Sequence, residues 1–345
     1  MKTSLFDFDY PPELIAQEPA AKRDGSRLMA VGPEGSIGHS SFAEIVRFLS
    51  PGDCLVLNET KVLPARLLGT RPSGGAVELL LLKRLLGDTW EVMAKPARRL
   101  KAGETVVFGR GRLIAEVVSE LQGGLRQVTL TAESGTVEQA IQEIGRTPLP
   151  PYIHSDSVDR SRYQTVYALR GMSAAAPTAG LHFTKGLLAE IEKVGVSIAR
   201  VNLDVGLGTF RPIECDEIED HVMHSEHFEL GAECAQLVNE TKERGGRVIA
   251  VGTTSARVLE SAAANDGSIS AGNGETDIYI RPGYDFKVVD AMVTNFHLPR
   301  SSLLVMVSAF AGLDVVKRAY AEAIEKRYRL FSFGDAMLVF KNRKE

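Results

Sequence analysis

The spacing of apolar residues changes along the chain, and this change constrains the fold more than any single motif. Between Asp53 and about Thr131, short apolar or alternating runs are separated by turn signals such as Ser73-Gly74-Gly75 and Gln122-Gly123-Gly124. Short strands at this spacing are typical of an all-β sandwich or a small barrel. After Thr136, helical patterns alternate with strand patterns, which favours parallel strands covered by helices.

The predicted fold is therefore α/β, with one domain inserted into another. Residues 1–52 and 150–345 are expected to form a discontinuous α/β layered domain, a mostly parallel sheet with flanking helices. Residues 53–149, beginning with the strand pattern Cys54–Leu57, are expected to form an inserted small all-β barrel domain. The chain is long enough for both, because single hydrophobic cores rarely grow beyond about 250–300 residues.

Composition limits the classes of function. The net charge of −4 gives no overall attraction for nucleic acid, so an RNA contact requires a local basic patch. The cysteines Cys54, Cys215 and Cys234 form no CxxC pair, which favours a reducing compartment. Residues 1–10 lack the apolar core of a signal peptide, and the apolar run Leu303–Leu313 is shorter than the roughly 20 residues that span a bilayer. We therefore expect a cytoplasmic protein with no membrane partner.

Three stretches place polar groups where predicted strands end, which is where open α/β sheets bind ligands. Gly252–Arg257 follows a strand and opens a helix, so it is either an anion site or a plain helix cap. Val205–Phe210 contains Gly206 and Gly208 but lacks the third glycine of a dinucleotide fingerprint, so a tight turn is the simpler interpretation. Asn295-Phe296-His297 supplies an amide and an imidazole.

Histidines mark two further stretches. In Ala174–Phe183, small residues and a proline lead into His182 just before a helical pattern, which lets backbone approach a ligand closely. The segment His221–Glu229 gathers three of the seven histidines beside acids, and such side chains can bind zinc or iron. Its spacing is neither HExxH nor a facial triad, so substrate contacts or surface histidines are the favoured interpretation.

Basic residues cluster at Lys95–Lys101 and at Lys326–Arg329. Charge runs are usually solvated surfaces, but on an acidic protein they are the available footprint for phosphate.

Taken in order, the motifs resemble one family, the S-adenosylmethionine:tRNA ribosyltransferase-isomerases of queuosine biosynthesis. The resemblance covers nearly the whole chain. It is carried by Phe8-Asp9-Tyr10-Pro11, Leu57–Val62, Arg162–Tyr167, Ala175–Phe183, Val205–Arg211, His224-Ser225-Glu226, Gly252–Ser255, Thr276-Asp277-Ile278, Val293–Pro299 and Phe333–Met337. Ser161, Met172-Ser173 and Ala256 depart from the family pattern without removing a reactive group.

The resemblance implies a reaction. The ribosyl portion of S-adenosylmethionine moves to the aminomethyl group of 7-aminomethyl-7-deazaguanine (preQ1) at the wobble position of a tRNA with a GUN anticodon. The products are epoxyqueuosine-tRNA, adenine and methionine. S-adenosylmethionine is consumed as a co-substrate, so no cofactor and no metal are expected, and a monomer is expected. The alternatives are a non-catalytic tRNA-binding protein and a metal-dependent hydrolase that uses the cluster from His221 to His227.

This chemistry requires a base for a C5′ hydrogen, a donor for departing adenine and exclusion of water. The candidate acid/base groups are His182, His224 and His297, and the candidates to orient them or bind the cationic amine are Glu226 and Asp277. The expected substrate-binding residues are Thr178, Gly180, Gly206, Gly208, Thr253, Thr254, Arg257 and Asn295. The expected tRNA-binding residues of the inserted domain are Arg98, Arg99 and Lys101.

Overall fold

The computed structural model describes residues 1–155, 158–206 and 212–342, and the chain forms two compact units. One unit contains Met1–Lys61 and the chain from Pro150 onward, and the other is Val62–Leu149. Among the described residues, no helix combines the length and the apolar character that crossing a membrane requires.

A nine-stranded sheet forms the centre of the first unit. Its strands lie in the order β15 (Gly272–Thr276), β13 (Glu226–Leu230), β12 (Ser197–Leu203), β3 (Cys54–Asn58), β14 (Val248–Val251), β16 (Ala291–Asn295), β17 (Ala336–Phe340), β1 (Arg27–Val31) and β2 (Ile37–Ser41). Two short strands, β4 (Thr60–Val62) and β11 (Arg170–Ser173), pair separately. The helices of this unit are α2 (Lys185–Lys193), α3 (Ala232–Glu243), α4 (Gly252–Ser261), α5 (Ser302–Ala311) and α6 (Leu313–Glu325).

The second unit is a closed barrel. Its strand order is β10 (Leu125–Ala132), β7 (Thr89–Lys95), β6 (Ala76–Arg84), β5 (Arg66–Thr70), β8 (Thr105–Phe108) and β9 (Leu113–Glu120), and the helix α1 (Val137–Ile144) follows. On β6, Val77, Leu79 and Leu81 are buried while their neighbours are more exposed. This alternation fills the interior of a small barrel with apolar side chains. The α/β architecture with a small β-barrel is thus confirmed.

The large sheet is mixed rather than mostly parallel. The pairs β12–β3, β3–β14, β14–β16 and β17–β1 are parallel, and the other four pairs between described strands are antiparallel. Alternation of helix and strand did not reveal this because two helices, α5 and α6, separate β16 from β17. A helical hairpin returns the chain to the same end of the sheet, so β17 runs antiparallel to β16.

The apolar pattern predicts that Cys54–Leu57 is the first strand of the barrel, but in the structure this segment belongs to the large sheet. It forms β3, which pairs in parallel with β12 on one side and β14 on the other. All five residues of β3 are buried, as in a strand covered on both faces, where the apolar run is continuous. The division between the two units therefore lies after Lys61 rather than before Asp53.

Helices cover both faces of the sheet. On β14, Val248 and Ala250 belong to a core shared with α3, α5 and α6, whereas Ile249 and Val251 belong to a second core shared with α2. Such a strand can lie only between two layers, which is the three-layer arrangement of an α/β domain.

Because helices cover both faces of the sheet, polar groups lie at the ends of the strands. The parallel strands β12, β3, β14 and β16 all end at one edge of the sheet, which we call the site edge. Antiparallel β13 begins there, and its Glu226 is opposite Thr276, the last residue of β15. Antiparallel β17 also begins there, with Ala336 opposite Asn295. Segments far apart in sequence therefore meet at this edge.

Candidate active site

A narrow cleft lies at the site edge and consists of three adjoining cavities. Thr178, Asn295 and His297 line the first and second cavities. Glu226 and Arg257 line the third, and Leu303 lines all three. The cavities measure about 30, 30 and 20 Å³, so each holds about one water molecule. A nucleoside therefore enters only if the lining moves apart. A much larger cavity of about 1230 Å³ lies at the opposite edge of the sheet, and none of the described candidate residues lines it.

His182 is enclosed by protein. It ends a 3₁₀ turn, Thr178–His182, and its ring packs against Phe42 with centroids 4.9 Å apart. Its Nδ1 lies 2.7 Å from Ser26 Oγ, and its Nε2 lies 3.2 Å from Asn295 Nδ2. Burial, helped by the charge of Arg329, lowers the pKa of His182 to about 3. The imidazole is thus neutral at pH 7, and both ring nitrogens contact protein groups.

His297 is also buried and neutral, but it faces the cleft. Its Nε2 lies 2.7 Å from Thr294 Oγ1, and its backbone N–H donates to the Tyr320 hydroxyl at 2.8 Å. Burial lowers the pKa of His297 to about 3. A neutral imidazole beside a ligand can accept a hydrogen bond, and it accepts a proton only as a weak base, because its pKa lies well below 7.

Thr253 and Thr254 lie in the first turn of α4, and both are buried. The Thr254 hydroxyl has no hydrogen-bond partner among the described residues, whereas the Ser255 hydroxyl donates to the Val251 carbonyl at 2.9 Å. Thr253 and Thr254 line the same cavity as Thr178 and Asn295. Helix N-termini attract anions through free N–H groups and the helix dipole, so this turn can hold a carboxylate or a phosphate.

Glu226 and Arg257 form a buried ion pair at the third cavity. Glu226 Oε1 also accepts the Gly206 N–H at 2.8 Å, and Arg257 donates to the Thr276 carbonyl at 3.3 Å. Two buried charges are tolerated when they pair, although Arg257 Nε is buried without a hydrogen-bond partner among the described residues. Arg257 is therefore engaged by Glu226, and Gly206 is held by the same carboxylate.

Within the described part of the chain, the remaining predicted site residues are not buried in the cleft. Gly180 leaves room for Tyr167 rather than for a ligand, since a Cβ there would be 2.1 Å from the Tyr167 hydroxyl oxygen. His224 is exposed but lines the third cavity, and Asp277 is exposed just beyond β15. Gly208 lies outside the described residues. Ser26 and Thr294 contact the two buried histidines. Thr294 lies within the motif Val293–Pro299 but was given no role, and Ser26 belongs to none of the motifs.

The histidine segment does not assemble a metal site. The described ranges contain no group of three or more His, Cys, Asp or Glu side chains arranged to hold a metal ion. The His221 ring packs against Tyr279, and His227 Nε2 lies 3.8 Å from Glu229 Oε1. The metal-dependent hydrolase therefore has no donor set in the described part of the chain.

In the barrel, Arg98 and Arg99 are exposed on a 3₁₀ turn, and Lys101 Nζ lies 3.2 Å from Glu120 Oε2. The loop that carries them is held from inside by the buried guanidinium of Arg126. It donates to the carbonyls of Leu100 at 2.7 Å and Ala97 at 2.5 Å. The exposed cations are thus presented on a fixed loop.

An α/β sheet with a polar cleft at its strand ends and a separate β-barrel defines the class of protein, and comparisons with known proteins define the family. A family model described as queuosine biosynthesis protein matches residues 3–339, and the chain belongs to this family. Two similar proteins are named S-adenosylmethionine:tRNA ribosyltransferase-isomerase, from Thermoanaerobacter sp. (strain X514) and Symbiobacterium thermophilum. Each is 53% identical, over 98% of this chain and 100% of the relative. These findings confirm the family predicted from the motifs.

A solved structure is also similar to the chain. It is the crystal structure of S-adenosylmethionine tRNA ribosyltransferase from Thermotoga maritima, with a TM-score of 0.57 and 39% identity. The match covers 98% of this chain and 100% of that one.

The two buried histidines predict a loss of stability in acid. Each has a pKa of about 3 in the folded protein and about 6.5 when unfolded, so between these values the unfolded chain binds more protons. Stability is therefore complete above about pH 6.5 and is lost as the pH falls toward 3, by about 1.4 kcal/mol per pH unit for each histidine. In urea unfolding, the loss between about pH 7 and pH 5 should be about 2 kcal/mol smaller for His297→Gln than for the native chain. His154→Gln, at an exposed position, should keep the native slope, and an unchanged slope in His297→Gln would contradict the prediction.

The buried ion pair predicts a second effect on stability. Glu226→Gln leaves Arg257 charged and buried without its partner, which should lower the free energy of unfolding by about 3–5 kcal/mol. Glu240→Gln is a matched control, because Glu240 pairs with Arg244 on the exposed side of α3 and should cost less than about 1 kcal/mol. Urea unfolding of both variants measures the difference. Equal stabilities would show that the buried pair contributes no more than the exposed one.

Proposed function

We propose that this chain is an S-adenosylmethionine:tRNA ribosyltransferase-isomerase, the activity named for its relatives. The observation that carries the proposal is the cleft at the site edge, where Thr178, Thr253, Thr254, Asn295 and His297 meet. These residues come from three separate segments that converge at the carboxyl ends of parallel strands, where α/β proteins bind ligands.

In the proposed reaction, the acceptor is the aminomethyl group of preQ1 at the wobble position of a tRNA with a GUN anticodon. A base removes a C5′ proton, which the adjacent sulfonium makes acidic, and the amine bonds to the ribosyl unit. Adenine leaves from C1′ and methionine from C5′ as the ribosyl unit rearranges to the epoxycyclopentanediol. S-adenosylmethionine is consumed, so the reaction needs no separate cofactor. The proposed setting is the cytoplasm, with the enzyme acting as a monomer.

His297 is the proposed base. It lines the cleft beside Thr254 and Asn295 and is neutral at physiological pH. A neutral base can approach the sulfonium without charge repulsion, whereas an imidazolium could not. His224, exposed at the third cavity, remains a candidate for proton donation, and the exposed carboxylate of Asp277 remains a candidate to bind the amine.

The start of α4 is the proposed site for the methionine carboxylate. The unpartnered Thr254 hydroxyl and the N–H groups of the first turn supply donors, and the helix dipole favours negative charge. Arg257 was expected to share this task. Because it pairs with Glu226, the role proposed for Arg257 is instead to hold Glu226 and, through that carboxylate, the backbone at Gly206.

The proposal is tested by incubating the protein with S-adenosylmethionine and preQ1-containing tRNA. Nucleoside mass analysis should show epoxyqueuosine, together with one adenine released per nucleoside formed. Folded protein that leaves preQ1 unchanged would refute the proposal, and binding of tRNA alone would then favour the non-catalytic tRNA-binding protein.

His297→Gln should lower the single-turnover rate by about 100-fold or more, because the proposed base is removed. S-adenosylmethionine should still bind, which equilibrium calorimetry can check. His154→Gln is the control, since His154 is exposed and lines none of the three cavities of the cleft. A near-native rate in His297→Gln would remove His297 from the chemistry while leaving the overall reaction intact.

The barrel loop is the proposed tRNA contact, because Arg98 and Arg99 are exposed and held by Arg126. The double change Arg98→Glu with Arg99→Glu should weaken tRNA binding and reduce the slope of log affinity against log salt by about 1 for each lost phosphate contact. Lys193→Glu is the control, because Lys193 ends α2 at the edge of the sheet opposite the cleft. Equal effects of the two charge reversals on affinity would exclude a specific role for the loop.

A further inference from the structure

The backbone carbonyl of Phe331 fixes the orientation of the Asn295 side-chain amide. Its Nδ2 lies 3.2 Å from the Phe331 carbonyl oxygen and 3.2 Å from His182 Nε2. A backbone carbonyl can only accept a hydrogen bond, so the amide nitrogen and not the amide oxygen must face Phe331. The same nitrogen then donates to His182 Nε2.

This donation fixes the protonation of His182. Because Nε2 accepts a hydrogen bond, the proton of the neutral ring is on Nδ1. That proton is donated to Ser26 Oγ at 2.7 Å. A second proton on Nε2 would face the Asn295 amide group, which cannot turn without losing Phe331. His182 is therefore held as one neutral tautomer, and each nitrogen is committed to a protein partner.

The other end of the Asn295 amide is unsatisfied. Asn295 Oδ1 is buried and has no hydrogen-bond partner among the described residues. Asn295 lines the first two cavities of the cleft, and the second is also lined by Thr254, whose hydroxyl is likewise unpartnered. Buried carbonyl oxygens are nearly always hydrogen-bonded, so an orphaned one beside a ligand cleft indicates a donor that arrives with the ligand.

We infer that Asn295 Oδ1 accepts a hydrogen bond from an N–H or O–H group of the S-adenosylmethionine nucleoside, and that Ser26 and His182 are positioning residues that aim it. The inference rests on the proposed function for the identity of the nucleoside. It changes the role of His182, which does not exchange a proton with the substrate. The donor is either the adenine amino group or a ribose hydroxyl, which share this chemistry.

Affinity measurements with S-adenosylmethionine and three analogues identify the donor. The analogues lack the adenine 6-amino group, the ribose 2′-hydroxyl or the ribose 3′-hydroxyl. The native protein should bind one of them about tenfold or more weakly than S-adenosylmethionine, because a polar site rejects a ligand that lacks the matching donor. Asn295→Ala should bind that analogue and S-adenosylmethionine with similar affinity, since the acceptor is gone.

Two outcomes of this experiment are distinct. If every affinity ratio is the same in Asn295→Ala as in the native protein, Asn295 is not the acceptor, although ribosyl transfer can still stand. If the native protein forms no epoxyqueuosine, the proposed function fails, while the affinity ratios still decide the role of Asn295.

The tautomer of His182 can be measured without any change to the protein. In ¹⁵N-histidine spectra of the native chain at pH 7, the His182 signal should show a protonated Nδ1 and an unprotonated Nε2. His182→Gln identifies the signal by its loss. A proton on Nε2 would overturn the inference even if Asn295→Ala does not fold.

Two substitutions separate positioning from acid/base work. Glutamine at this position can still accept from Asn295 and donate to Ser26, whereas leucine can do neither. His182→Leu should raise the KM for S-adenosylmethionine about tenfold or more, and His182→Gln should recover most of that loss. A catalytic acid or base would instead give a fall in kcat of about 100-fold or more in both variants, with no rescue by glutamine.

Discussion

The parallel pairing of β3 with β12 and β14 is the constraint on which the rest of the structure depends. Only β3 brings the first segment of the chain into the middle of the sheet, and its five residues are all buried. At its start, Asp53 accepts hydrogen bonds from the backbone and the guanidinium of Arg247, the residue that precedes β14. This contact aligns the two strands so that Cys54 is opposite Val248. The alignment in turn brings the ends of β3 and β14 to the same edge, where the cleft lies.

The cleft is polar but carries little net charge. His182 and His297 are neutral because burial lowers their pKa values, and the charge of Glu226 is balanced by Arg257. A cationic sulfonium in such a site meets neutral acceptors and a positive helix end rather than a solvating carboxylate. Under the proposed function, the C5′ proton passes to the neutral imidazole of His297, so the sulfonium becomes a net-neutral ylide and the positive charge moves to the ring without leaving the cleft.

Sequence patterns located the strand ends well, because apolar runs that stop at a glycine or an amide mark the point where a buried strand reaches the edge. Gly252–Arg257 and Asn295–His297 both lie at the site edge for this reason. The sequence could not show whether β3 belongs to the barrel or to the large sheet, because a run of four or five apolar residues is compatible with both. The sequence also did not show that β17 runs antiparallel to β16, because this direction depends on the two helices, α5 and α6, that connect the two strands.

Residue roles were harder to predict than residue positions. His182 is a candidate acid/base group because of its place in the motif Ala175–Phe183. Its two partners, Ser26 and Asn295, lie 156 and 113 residues away in the chain, so no local pattern could show that both ring nitrogens are engaged. Gly180 was expected to admit a ligand, yet the space it leaves is filled by Tyr167. Long-range partners of this kind decide whether a side chain reacts or supports.

The partners of His182 also show how the first unit tolerates an inserted domain. Ser26 belongs to the segment before the barrel, and His182 and Asn295 belong to the segment after it. The contacts from Ser26 to His182 and from His182 to Asn295 therefore form only when both segments pack against the same sheet. Each contact is made by residues of that unit alone, so the polar groups of the cleft are aimed by the sheet and its flanking turns rather than by the barrel. We therefore expect changes within the barrel loop to act on tRNA affinity, and changes at Ser26 to act on S-adenosylmethionine affinity.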